Sequence, residues 1–177
     1  SGNRLLIVDD DPAVRRMLVE YLGGHGFDVA EADSGASMRE RLHARAVPLQ
    51  FPDGSAETLQ GIVDVVGMRY LTFDPASLGK EVVAAPVPDR LLDEARRRRQ
   101  EAIESLAEVH DPLAELFLSE AEVPAAALLA AARAATIART AVPVFCGASL
   151  RNLGVQPLLD AVCDLLPSPL DVPPIAG

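Results

Sequence analysis

Arg4-Leu5-Leu6-Ile7-Val8-Asp9-Asp10-Asp11-Pro12 is the stretch from which the architecture is read. After Arg4 it is unbroken apolar sequence, and it stops at three acids. A strand covered on both faces shows such a run instead of alternation, so residues 4–8 read as a buried parallel strand. Asp11 suits an N-cap and Pro12 the first helical position, so a helix opens there. Val14, Met17, Leu18, Tyr21 and Leu22 recur at helical spacing and are expected to face inward. Gly23, Gly24 and Gly26 close the helix. Phe27 to Ala32 reads as a second strand, and Ser34 begins a second helix with Met38 and Leu42 facing inward. Residues 4–43 thus spell β-α-β-α, the beginning of a doubly wound sheet.

Further along, the pattern changes. Residues 46–54 carry Pro48 and Pro52 in an extended run, which a central strand would not tolerate, so they read as an edge strand or connector. Gly61 to Phe73 reads as two strands around Gly67, and Glu81 to Val87 as a third. The connections are too short for crossover helices, so these strands are expected to be antiparallel. Helices follow from Pro88-Asp89 to about His110, from Asp111-Pro112 to about Ser119, and from Val123-Pro124 to about Thr136. Val142 to Cys146 reads as a buried strand, Val155 to Leu166 as a helix, and Pro167 to Pro174 as an extended surface exit.

The fold class expected is α/β: a small, mainly parallel, doubly wound sheet with helices on both faces, plus an inserted α+β subdomain with antiparallel strands. The segments are 1–45 (β-α-β-α), 46–140 (the insert) and 141–177 (a last βα unit and the exit). The last unit is expected to pack with residues 1–45.

Composition narrows the function. With 49% hydrophobic residues the chain can bury a core, and its net charge of −10 opposes wrapping of nucleic acid. The one basic cluster, Arg96-Arg97-Arg98-Arg99, has acids on both sides and reads as a solvated helix face. Cys146 and Cys163 lie far apart with no metal-ligand spacing, and Cys146 reads as a buried thiol. No apolar run approaches a membrane span, so no membrane partner and a cytoplasmic location are expected. His110 beside Asp111 reads as a helix-terminal pair.

Leu6 to Pro12, with Arg15 to Leu18, Gly26-Phe27 and Ala32 to Gly35, resembles a response-regulator receiver domain over residues 3–43. In that family two acids after the first strand hold Mg²⁺ beside a phospho-acceptor aspartate. The resemblance carries the metal role to Asp9 and Asp10, where two adjoining carboxylates repel unless a cation lies between them; weak Mg²⁺ is the only cofactor implied. Asp53 falls close to the family's acceptor spacing and is the candidate phospho-acceptor. The family's later lysine has no counterpart, since Lys80 is the chain's only lysine.

Residues 44–177 resemble bacterial elongation factor G: the insert of its GTPase domain, then that domain's last strand and helix. The carrying residues are Val47 to Gln50, Gly61 to Asp64, Pro88 to Ala95, Ala107-Glu108, Val142 to Gly147, Gly154 to Val162 and Leu166 to Pro174. The family hydrolyses GTP, but the phosphate loop and the Asn-Lys-x-Asp base reader are missing here, so no GTP binding is expected. Asp64-Val65-Val66-Gly67 imitates a switch motif by chance. Ala148-Ser149-Leu150 corresponds to the family's guanine-contacting Ser-Ala-Leu with its first two residues transposed.

Together these readings give a chimera, engineered or recombined, joined near residues 43–46, with no complete active site and no enzymatic activity. One alternative is a binding module that keeps the family's ribosomal-stalk contact on the helix at 89–110. The other is a receiver-like phosphorelay module. Open sheet edges make a homodimer or a domain swap an expectation.

Overall fold

The computed structural model describes residues 4–8, 11–24, 28–33, 45–55, 58–74, 77, 79–148 and 151–167. The chain divides into two compact units, Ser1–Arg45 and Ala46–Gly177, and the class is mixed α/β.

In the first unit β1 (Arg4–Val8) and β2 (Asp28–Ala32) pair in parallel, Arg4 opposite Asp28 and Val8 opposite Ala32. Between them runs α1 (Pro12–Gly24). Asp11 caps it, since its Oδ1 accepts the N–H of Ala13 at 2.7 Å. This is the β-α-β read from the sequence. The inward face is not the one expected: Met17 is 60% exposed and Tyr21 63%, while Leu18 and Leu22 are half-buried. The second helix expected from Ser34 lies outside the described residues.

The second unit is built on an antiparallel sheet in the order β4 (Gln50–Asp53), β5 (Gly61–Asp64), β6 (Arg69–Phe73), β7 (Val82–Pro86). The antiparallel sense and the turn at Gly67 are as the sequence implied. Pro52 sits on β4, at an end of the sheet, where its missing N–H costs nothing. Side chains alternate across β5. Val63 and Val65 join Phe51, Tyr70, Val87 and Ala95 on the face covered by α2 (Asp89–Ala107). Ile62 joins Leu59 and Leu71 on the other face, against Cys146, Ala148 and Leu153.

Residues 46–54 are not one connector. They form β3 (Arg45–Pro48) and β4, and the break between them falls at Leu49. β3 pairs with β8 (Ala141–Val144) in a separate two-stranded sheet. Leu49 couples the two sheets, donating its N–H to Val144 O at 3.0 Å and accepting that of Val65 at 3.1 Å. The strand read at Val142 to Cys146 thus finds its hydrogen-bonded neighbour within its own unit. The packing of that pair with residues 1–45 stays an expectation of the sequence.

The largest core lies beside this junction. Val47, Leu49 and Ala141 meet Ile103 and Leu106 of α2, Leu113 of α3 (Asp111–Leu118), Leu128 and Ala131 of α4 (Ala125–Ala138), and Leu165 of α5 (Val155–Leu165). The alanine spacing of α4 (Ala131, Ala132, Ala135) lets that helix lie close to its neighbours. His110 stands at a helix end and caps α3: its Nδ1 accepts the N–H of Leu113 at 3.3 Å.

Candidate functional site

Asp53, the candidate acceptor, ends β4 with a side chain only 9% exposed. Both carboxylate oxygens are engaged. Arg90 Nη1 donates to Oδ1 at 2.8 Å, Arg90 Nη2 donates to Oδ2, and the hydroxyl of Tyr70 donates to Oδ2 at 2.6 Å. Three elements supply this group: β4, β6 and the first turn of α2. The Arg90 hydrogen bonds hold the Asp53 carboxyl below the usual carboxylate range, against the opposing pull of burial. Burial, and then the bond to Asp53, push the Tyr70 hydroxyl up to about 12. A charged carboxylate beside a neutral phenol and a guanidinium is a stable clamp. Oδ1 accepts one hydrogen bond and Oδ2 two, and the Arg90 guanidinium beside them lowers the basicity of the carboxylate.

Gly61 makes room for the clamp. A Cβ there would fall 2.5 Å from Tyr70 Cζ and 2.6 Å from its hydroxyl oxygen. Tyr70 and Arg90 were not singled out from the sequence. Arg90 follows Asp53 by 37 residues, and only the fold of the second unit brings them together.

Asp64 builds a turn. Its Oδ1 accepts the N–H groups of Val66 at 3.0 Å and Gly67 at 3.2 Å. Its Oδ2 takes Arg69 through Nε at 3.2 Å and Nη2 at 2.8 Å. The likeness of Asp64 to Gly67 to a switch motif therefore has a structural cause: an aspartate closing a tight turn onto the next strand.

The arginine cluster is not one solvated face. Arg96 and Arg97 are exposed and pair with Asp93 and Glu101. Arg98 lies 4.6 Å over the ring of Phe51 and bonds Glu94. Arg99 turns inward and donates to the carbonyls of Val65 (2.7 Å) and Val66 and, through Nη2, of Val123 (2.8 Å). It ties α2 to the β5–β6 turn and to the approach to α4. Helical periodicity puts four consecutive residues all round a helix, and spacing of three and four to the buried Ala95 and Ala102 separates Arg98 and Arg99 from Arg96 and Arg97.

Asp9, Asp10, Ser149 and Leu150 lie outside the described residues. Ala148 bridges Leu153, donating to its carbonyl at 2.8 Å and accepting its N–H at 3.1 Å. Among the described residues no three His, Cys, Asp or Glu come together as metal ligands. A cavity of about 630 Å³ opens in the second unit between β5–β7, α4 and α5, with Gln50, Asp64 and Arg69 on one side and Asp160 and Asp164 on the other. The charged pair in it is already closed on itself. Cys146, read from the sequence as a buried thiol, is half-buried, and burial pushes its thiol up to about 12. No described helix is long and apolar enough to cross a membrane.

No protein-family profile matches the chain. A crystal structure of a protein from Thermus thermophilus is similar in fold over 96% of this chain, with a TM-score of 0.62 and 23% sequence identity. The chain spans 23% of the length of that protein. The likeness shows a shared fold, and it runs across both units.

Proposed function

We propose that the chain is a non-enzymatic protein of two joined parts, receiver-like to residue 43 and similar to the elongation factor G insert from residue 44, without phosphoryl-transfer or GTPase chemistry. The observation that carries the absence of phosphoryl transfer is the Asp53 clamp: the candidate acceptor spends both oxygens on Arg90 and Tyr70. The two-part reading draws support from the division of the chain after Arg45, close to the change of resemblance. Against it stands the Thermus structure, one chain whose fold runs across both parts. Incubation with acetyl phosphate and Mg²⁺, followed by intact mass and GTP hydrolysis assays, tests the chemistry. The unmodified mass and background hydrolysis are expected. A phosphoryl adduct present in the parent and lost in Asp53→Asn would overturn the reading.

A second reading is a binding module that acts through the outer face of α2, of the stalk-contacting kind that the resemblance implies. It is favoured by that face itself, where Asp93, Arg96, Arg97, Gln100 and Glu101 are exposed in mixed charge. Retention of ribosomal stalk protein at micromolar concentration, lost on Arg97→Glu, would move the function to this reading.

A further inference from the structure

The antiparallel sheet ends at β7, and nothing among the described residues pairs with its outer side. The strand is Val82-Val83-Ala84-Ala85-Pro86, with no charged side chain. Val83 is 55% exposed, and Ala84, Ala85 and Pro86 are exposed as well. Edge strands that stay alone are ordinarily guarded by inward or flanking charge, a bulge or proline. Here the strand itself carries one guard, Pro86.

The hydrogen-bond phase of the edge follows from the ladder. Asp74 N–H donates to Glu81 O at 3.0 Å, so Asp74 and Glu81 form a hydrogen-bonded pair. Counting along the register, Thr72 with Val83 and Tyr70 with Ala85 are the next such pairs. The backbone groups of Val82, Ala84 and Pro86 therefore point outward. They offer two N–H donors, at Val82 and Ala84, and three carbonyls. Pro86 occupies an outward position, where its missing N–H removes nothing from the ladder with β6.

We propose that this edge binds a second copy of the chain, β7 against β7, in antiparallel register with Ala84 on the twofold axis. In that register, which overlaps the whole strand, Ala84 N–H meets the Ala84 carbonyl of the second copy, and Val82 N–H meets its Pro86 carbonyl. Each bond occurs twice, and every outward N–H finds an acceptor. The absence of charge on β7 matters here, because across a twofold axis a charged strand meets its own sign. A single pair of five-residue edges buries far less than a standard interface, so the dimer belongs to the weak, concentration-dependent class.

The test is sedimentation velocity of the full chain from low micromolar to near-millimolar concentration, on the parent and on Ala84→Pro. The substitution removes the outward N–H at the axis and leaves the β6 ladder intact. The parent is expected to shift toward dimer as concentration rises, and Ala84→Pro to associate at least about tenfold more weakly with unchanged circular dichroism. Val83→Lys, which places a charge on the same edge without touching the backbone, is expected to do the same and decides the matter if Ala84→Pro does not fold. A parent that stays monomeric throughout would overturn the proposal. A dimer that survives both substitutions would overturn it too, in favour of a domain swap or another face.

Discussion

Arg90 reaches Asp53 from the first turn of α2, setting a guanidinium that is 54% exposed against a carboxylate that is 9% exposed, with Nη1 2.8 Å from Oδ1. The exposed partner stays largely solvated, so within the ion pair most of the desolvation falls on Asp53, and Tyr70 adds a second donor to the Oδ2 that Arg90 also holds. The pair joins the start of α2 to the end of β4.

Asp53→Ala is expected to destabilise the fold by about 1–3 kcal/mol, because it leaves the buried Tyr70 hydroxyl without its acceptor. The double variant Asp53→Ala/Tyr70→Phe should recover part of that loss, since no polar atom is then orphaned. Urea melts of the two variants and the parent check the order; a double variant less stable than Asp53→Ala would contradict it.

The clamp also sets two limbs of the pH–stability curve. Tyr70 is raised from 10.0 to about 12 in the folded protein, so its contribution is complete below pH 10 and is lost as pH climbs toward 12. Asp53 is lowered from 3.8, so its contribution holds above that value and is lost as pH falls below it. Thermal melts across both ranges should show Tyr70→Phe flattening the basic limb and Asp53→Asn the acidic one.

Arg99→Met should cost about 2–3 kcal/mol, because it keeps the aliphatic stem and strips the donor from the carbonyls of Val65, Val66 and Val123. Arg99→Lys should fall between, since one ammonium cannot reach both the turn and Val123 as the guanidinium fork does. By contrast Arg96→Met, at an exposed i,i+3 pair, should change stability little. Chemical denaturation of the three variants measures the ranking.

The cysteines should separate cleanly in a thiol titration at neutral pH. Cys163 is exposed and should react at once with a disulfide reagent. Cys146, raised to about 12 by burial, should react only as the protein unfolds. Two fast equivalents in the native protein would show that the Cys146 pocket opens.

The helices were legible because their ends are chemically marked. Pro88-Asp89 opens α2 and Asp111-Pro112 opens α3, each placing proline where a helix tolerates it and acid where the dipole favours it. The turn at Gly67 was legible for a similar local reason, glycine after an Asx-forming aspartate. Residues 46–54 were not: two prolines spoke for a single edge, whereas Leu49 divides two strands of different sheets. Nothing local marks such a break, because it exists only where Val144 and Val65 approach the same residue from opposite sides. On α1 the periodicity found a helix but turned Met17 and Tyr21 inward, since a stripe of apolar residues does not say which part of it will be covered.

By itself the sequence determined the class of this protein, the parallel start, the antiparallel strands and the helices that follow, because propensity, capping and apolar periodicity act over a few residues. The fate of its charged groups was decided by tertiary structure alone. Asp53 met Arg90 and Tyr70, Arg99 turned away from Arg96 and Arg97, and among the described residues no strand pairs with the outward backbone of β7 at Val82 and Ala84. Charge and hydrogen bonding act through space, and the partners of Asp53 and Arg99 lie 17 to 37 positions away along the chain.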